Sequence, residues 1–566
     1  MPKHSIRAVT AAAALACLAA FVPLPSSASS ASARTAGPGP AADGVDLSAY
    51  NTTENAADFA DLRKALDIPR WDVHGYSYGS NLALTYRTVV GDAGYEPGPC
   101  PRTPEPVEVL KGARCGTLTV PENRARPTGR TIKLGVAIVP AASAAPKPDP
   151  IVWLAGGPGD DAVGEAKMAI DGGLNRDRDV IFMSQRGTYS AEPNVLCPGI
   201  DEFNARAVGL VYDAPSTERL HVEATKACRD QLAARGIDLS AYNDTESAAD
   251  YDDLRTALGI ARWNLYGISY GTHLALVSMR LHPHGLRSVG LDGILPPSRA
   301  GSAMTWSSAR QGIDGLFKAC ADQPACNKRY PHLPATFDKL VRDLEAEPVT
   351  TTVTLPGSDK PVKVVLDGGA LVNWMTSATH VASQVPVALY ELAHGKPQRI
   401  ARQWAGGKLS PQAMGRVAHG LVYGVFCSEW TPYESREEAL RGGQEAFPSF
   451  PRSVQAQAPQ LTFLRPDCDV WNVPAAAPSI RDVTRGDIPT LALSGGFDAQ
   501  TGADNGPYVA RTLSKAKVVT IPYEPHVVFA TSKCAQQITV SFFDTPAAPK
   551  TECLNSLEPP EFEIAP

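Results

Sequence analysis

At 566 residues the chain is far larger than a minimal domain, which leaves room for a large core carrying an insertion or a second domain. Its 53 Lys and Arg nearly balance 59 Asp and Glu, and a net charge of −6 argues against nucleic acid as the main partner. Past the N-terminal region no segment is long and apolar enough to span a bilayer.

The chain begins with Lys3, His4 and Arg7, an apolar run from Ala8 to Val22, and small residues ending at Ala31, Ser32 and Ala33. This order is that of a secretory signal peptide over 1–33, cut after Ala33, and it implies a secreted protein. The apolar run is shorter than the roughly 20 residues a membrane span needs. Cys17 in "LAC" is a second possibility, a lipoprotein acceptor, although Ala14 stands where leucine is usual. A Pro/Ala/Gly linker follows over 34–43. Residues 44–84 then match residues 236–276 without a gap, with about 27 of 41 positions identical. One copy at so long a spacing is a partial duplication, not a repeat array, and 44–99 reads as an appendage.

From residue 100 the pattern is regular. "CGTLTVP" and "TIKLGVAIVP" read as two early strands around the turn-prone "RPTGR". "PIVWLAGGPG" reads as a buried strand entering a glycine-rich loop, and "DVIFMSQRGT" as another strand. "TESAADYDDLRTALGI" has helical spacing, with Thr245 or Asn243 as the capping residue. "RWNLYGIS", the helix "YGTHLALVSMRLHP" and the strand "LRSVGLDG" follow. The alternation breaks over 296–487, where "ATFDKLVRDLEAE" is helical and "PVTTTVTLPGSDKPVKVVL" is β-prone; this is expected to be an inserted, largely helical cap. Sheet signals resume over 488–555 with "IPTLALSGGFDAQT" and "KVVTIPYEPH", and 556–566 reads as a tail. The fold class is therefore α/β, a mostly parallel sheet with helices on both faces, its first part at 100–295 and its last at 488–555.

Setting Cys17 aside, ten cysteines remain, and an even count in an exported chain suggests disulfides. Sequential pairing is the simplest, though spacing alone does not fix it. No cluster has zinc-ligand spacing, and no metal or organic cofactor is expected.

G-x-S-x-G occurs twice, around Ser77 and Ser269. In an α/β-hydrolase this is the strand-to-helix turn that presents a nucleophilic serine, followed in chain order by an acid and a histidine. Asp498 follows an apolar strand, and His526 is the only histidine beyond it. Ser269 is preceded by the loop "AGGPG", whose Gly156 or Gly157 supplies one backbone N–H to an oxyanion, the other coming from Tyr270. Ser77 has no such loop before it and no second acid and base to serve it, so chain order selects Ser269 as nucleophile, Asp498 as acid and His526 as base.

At "GGPG", "SQRGTYS", "GISYGT", "SGGFDAQT" and "EPH" the chain resembles the secreted α/β-hydrolases of the prolyl iminopeptidase and tripeptidyl aminopeptidase family. The resemblance covers roughly residues 100–555. It implies a hydrolase core under a mostly helical cap, and release of one residue or a short peptide, tripeptidyl-type favoured, from a substrate with a free N-terminus. Ala155 stands where the family often has His, Ser184 stands where many relatives have Asp, Asp498 lacks the usual Pro-x-Thr-Pro after it, and His526 lacks the usual flanking glycines. These departures bear on substrate subclass and remove no triad member. Glu429 in "FCSEW" is the candidate for binding the substrate's N-terminal ammonium, weighed against a plain surface glutamate, and Arg186 is expected to pair with a structural carboxylate. A secreted ester hydrolase with the same triad, or a binding protein with an idle triad, are the alternatives.

Overall fold

The computed structural model describes residues 52–65, 73, 78, 79, 82, 94–126, 129–409 and 415–565. The expected signal peptide, Cys17, the linker and Ser77 lie outside the described residues.

Twelve strands are described: β1 Gly94–Pro97, β2 Arg114–Pro121, β3 Thr131–Val139, β4 Ile151–Leu154, β5 Val180–Met183, β6 Ala191–Glu192, β7 Trp263–Ile268, β8 Leu286–Asp292, β9 Val349–Thr354, β10 Pro361–Leu366, β11 Thr490–Gly495 and β12 Ala516–Ile521. The main sheet runs β1-β2-β3-β5-β4-β7-β8-β11-β12, with β6 beside β3. Pairs from β5 through β4, β7, β8 and β11 to β12 are parallel, and β1, β2, β3 and β6 join them antiparallel. A parallel strand needs both faces covered, and β4, β5 and β7 are buried along their whole length. Alternate residues serve opposite faces: Val152, Leu154 and Leu265 pack toward the helices Asp244–Ala257 and Tyr270–Leu281, while Trp153, Tyr266 and Phe182 pack toward Phe529, Ile538 and Phe542 near the C-terminus.

Three boundaries differ from the sequence reading. Gly94–Pro97, expected in the appendage, pairs with β2 as the sheet's edge, where Pro97 costs no ladder bond to a further strand. The helix Pro198–Ala207, expected in the core, places Phe203 and Ala207 in a separate apolar cluster with Trp306, Phe337, Leu371 and Trp404 from the inserted helices. The expected tail packs down, with Phe562 buried in that same cluster and Glu563 paired to Arg399. The insertion therefore has its own core, crossed by chain from both flanks. Its β-prone stretch forms the β9/β10 hairpin, and among the two caps considered for Asp244–Ala257 it is Asn243 whose side chain accepts from the N–H of Glu246.

The ten cysteines form five sequential disulfides: 100–115, 197–228, 320–326, 427–468 and 534–553. Among the described residues no helix is long and apolar enough to cross a membrane.

Candidate active site

The triad and the glycine loop arise where parallel strands end, because there the chain leaves the sheet with its side chains free. Ser269 follows β7 and opens the helix Tyr270–Leu281 at φ 51° and ψ −123°, a backbone few side-chain-bearing residues adopt. The turn depends on its flanking glycines. A Cβ on Gly267 would stand 2.3 Å from the Gly271 carbonyl oxygen, and one on Gly271 would stand 2.2 Å from that of Leu154. The serine is left partly exposed at the tip.

Asp498 follows β11 and His526 follows β12. His526 Nε2 lies 2.9 Å from Ser269 Oγ, and its Nδ1 lies 2.9 Å from Asp498 Oδ2. The second carboxylate oxygen accepts from the N–H groups of Gln500 and Thr501, each at 2.9 Å, and the Thr501 hydroxyl donates to Oδ2 at 2.6 Å. Burial alone would raise the Asp498 pKa, but His526 and these donors hold the carboxyl well below the usual range. Burial likewise opposes a charged His526, yet the Asp498 carboxylate holds the imidazole above its ordinary value. A serine in this line can lose its proton to His526 as it attacks a carbonyl carbon, and the ion pair then stabilises the imidazolium.

Two groups invisible to motif reading brace the site. Thr501 orients the acid as described. Asp292, at the end of β8, is buried and accepts from the N–H groups of Val528 and Phe529 at 3.0 and 2.9 Å, which fixes the segment directly after His526. Burial pushes its carboxyl up to about 6. A carboxylate just past a strand end was the available signal for Asp292, but many loop acids share it.

Close packing also links the insertion to the acid. On the helix Ser302–Ala321, a Cβ at Gly312 would stand 2.4 Å from the Ala499 nitrogen, and one at Gly315 would stand 2.5 Å from the Gly496 oxygen. Only glycine lets this helix lie directly on the loop bearing Asp498.

The loop after β4 carries Gly156 and Gly157, with Gly157 at φ +103° and exposed. A Cβ at Gly156 would come within 3.3 Å of Ser269 Cβ, so this backbone faces the nucleophile. Tyr270 begins the helix, and its backbone N–H has no intrahelical acceptor. Its side chain turns away, with the hydroxyl donating to Asp244 and accepting from Gln185 at 2.8 Å. Arg186 is fully buried and makes a two-pronged pair with Asp250, while its third nitrogen donates to the carbonyls of Glu122 and Ala241.

Glu429 requires correction. It is only 1% exposed, and it accepts from the Asp244 N–H at 2.9 Å instead of facing open space. The π-helical turn Phe426–Trp430 carries it inward beside the Cys427–Cys468 disulfide, toward His273 at 3.6 Å. Burial and the neighbouring Asp244 push its carboxyl up to about 8. Asp244, His273 and Glu429 have ligand-type atoms within 4.8 Å of one another and are the group among the described residues that could hold a cation. Burial disfavours a charged His273, but Asp244, 2.9 Å away, pushes its pKa up to about 9.

A cavity of about 390 Å³ adjoins the Gly157 loop and is lined by Gly157, Pro158, Asp160, Phe426 and Phe463 among others.

Residues 455–553 match the family model described as TAP-like protein. The chain is 26% identical over 288 residues to a tripeptidyl aminopeptidase of Streptomyces coelicolor, covering 48% of this chain and 51% of that one. The match thus spans about half the length of that relative. Over 472 residues it is 24% identical to serine protease Hip1 of Mycobacterium tuberculosis, covering 78% of this chain and 87% of that one. The chain has the α/β-hydrolase fold, and its sequence is similar to those of a tripeptidyl aminopeptidase and a serine protease. Among solved structures it is similar to a proline iminopeptidase of Mycobacterium smegmatis, with 14% identity, a TM-score of 0.34, and coverage of 76% of this chain and 98% of that one.

Proposed function

We propose that the protein is an exported serine aminopeptidase that removes a residue or short peptide from a substrate with a free N-terminus, through an acyl-enzyme. The observation that carries this reading is the unbroken line from Ser269 through His526 to Asp498, at 2.9 Å for each step. Ser269 Oγ attacks the scissile carbonyl while His526 Nε2 takes its proton. The carbonyl oxygen becomes an oxyanion held by the backbone N–H groups of Tyr270 and of Gly156 or Gly157. His526 then gives the proton to the leaving amine, and water repeats the sequence to free the acyl group. The names of the relatives support a peptide substrate. The five disulfides support work outside the reducing cytosol.

The test is a panel of reporter amides with free and blocked N-termini, run beside short acyl esters and a fluorophosphonate label. Cleavage of free-amine amides with uptake of the label is expected, and activity on esters alone would overturn the peptidase reading.

The base must be neutral to act, and its pKa is raised by Asp498. Activity is therefore lost as pH falls. In a pH profile of kcat/KM, the acid limb should centre above the ordinary histidine value of about 6.5 with unit slope. A limb below that value would mean that His526 is not held by a charged Asp498.

A further inference from the structure

With Glu429 withdrawn into the interior, another group must meet the substrate's charge. Resting on the aminopeptidase reading above, we propose that Asp160 binds the α-ammonium of the substrate and so fixes the product as a single N-terminal residue.

Asp160 stands at the end of the Gly156–Gly157 loop, partly exposed, on the wall of the 390 Å³ cavity. The point where a Gly156 Cβ would sit is 3.3 Å from Ser269 Cβ and 3.7 Å from Asp160 Oδ2. The carboxylate and the nucleophile thus both stand beside Gly156. Among the described residues none donates a hydrogen bond to Asp160, whereas the neighbouring acids are engaged. Asp161 accepts from Ser184 Oγ at 2.8 Å and from the N–H groups of Ser190 and Val163 at 2.6 and 3.0 Å. Glu165 accepts from Trp153 Nε1 at 2.5 Å. The basic side chains on the cavity wall have partners of their own: His221 Nδ1 is 2.9 Å from Asp467, His419 Nε2 is 3.0 Å from Asp201, and Lys408 lies over the ring of Trp404 at 5.0 Å.

Burial and Asp161 push the Asp160 carboxyl up to about 6, with His419 opposing them. A half-buried anion beside the position of an oxyanion opposes the negative charge that builds during attack. An ammonium seated between them removes that opposition and makes a charge-assisted hydrogen bond to Asp160. Substrates that bring the cation gain in the transition state as well as in binding.

Position sets the length of the product. In an aminoacyl substrate the ammonium is on the residue whose carbonyl is attacked. Two further residues carry it roughly 7 Å away at about 3.3–3.6 Å per residue, out of reach of a carboxylate beside Ser269.

The experiment compares wild type and Asp160→Asn on an aminoacyl reporter amide, its N-acetyl derivative and a tripeptidyl reporter amide. Uptake of a neutral fluorophosphonate checks that the variant's triad is assembled. Wild type should prefer the free aminoacyl amide over the acetylated one by about 10²-fold in kcat/KM. Asp160→Asn should lose most of that ratio through both kcat and KM, while still taking up the label. An unchanged ratio in labelled Asp160→Asn, or a wild type that cleaves the tripeptidyl amide and spares the aminoacyl one, overturns the assignment of Asp160 alone. A wild type that takes no label, or cleaves only esters, overturns the aminopeptidase reading with it.

Discussion

Ser269→Ala is expected to lower kcat for amide hydrolysis by about 10⁵–10⁶-fold and to abolish fluorophosphonate uptake, because the members of a triad act as a unit. Ser77→Ala should change neither. The two serines sit in nearly the same words of sequence, so the motif cannot separate them. Position in the sheet can. Ser269 leaves β7, which lies between β4 and β8, with the glycine loop on one side and Asp292 on the other. A strand fills that place once. The Gly271 contact also shows that this elbow is built against Leu154 of β4. Label retained in Ser269→Ala and lost in Ser77→Ala would reverse the assignment.

Asp498→Asn should reduce kcat by about 10⁴-fold while leaving the fold in place. The carboxylate does two things here. It accepts from His526 Nδ1, which leaves Nε2 free to take the serine proton, and it supplies the charge that stabilises the imidazolium. The backbone N–H groups of Gln500 and Thr501 already point at Oδ1, so an amide would place its oxygen there and turn its NH₂ toward the imidazole. That forces Nδ1 to accept and puts the ring proton on Nε2, the tautomer that cannot act as base. The pH profile separates this from mere loosening. Without the charge of Asp498, the histidine is no longer held up, and the remaining acid limb should move to lower pH. A variant whose limb stays in place with kcat intact would show that Asp498 is not the partner of the base.

Chain order made Ser269, Asp498 and His526 legible, because in a parallel sheet each reacting group must follow its own strand and the strands were marked by apolar runs. What side chains do after leaving the sheet was less legible. Glu429 looked like a pocket residue beside a disulfide and a tryptophan, but the turn at Phe426–Trp430 winds wide and points it at the Asp244 N–H. Asp160 was passed over inside a glycine-rich loop, since its lack of a partner and its nearness to Ser269 exist only once β4 and β7 are paired. Asp292 and Thr501 hold the site through local hydrogen bonds that carry no spacing signature. Domain edges blurred for a related reason: the inserted helices complete their core with Phe203 from before the insertion and Phe562 from after it.

The bare backbone of Gly312 and Gly315 against the Asp498 loop extends the acid's support beyond the triad. With no side chain between them, the helix Ser302–Ala321 acts as a flat backing for the turn that carries Asp498, and any side chain added at either glycine would press on that turn. The insertion thus reaches the chemistry through its backbone and not through a reacting group.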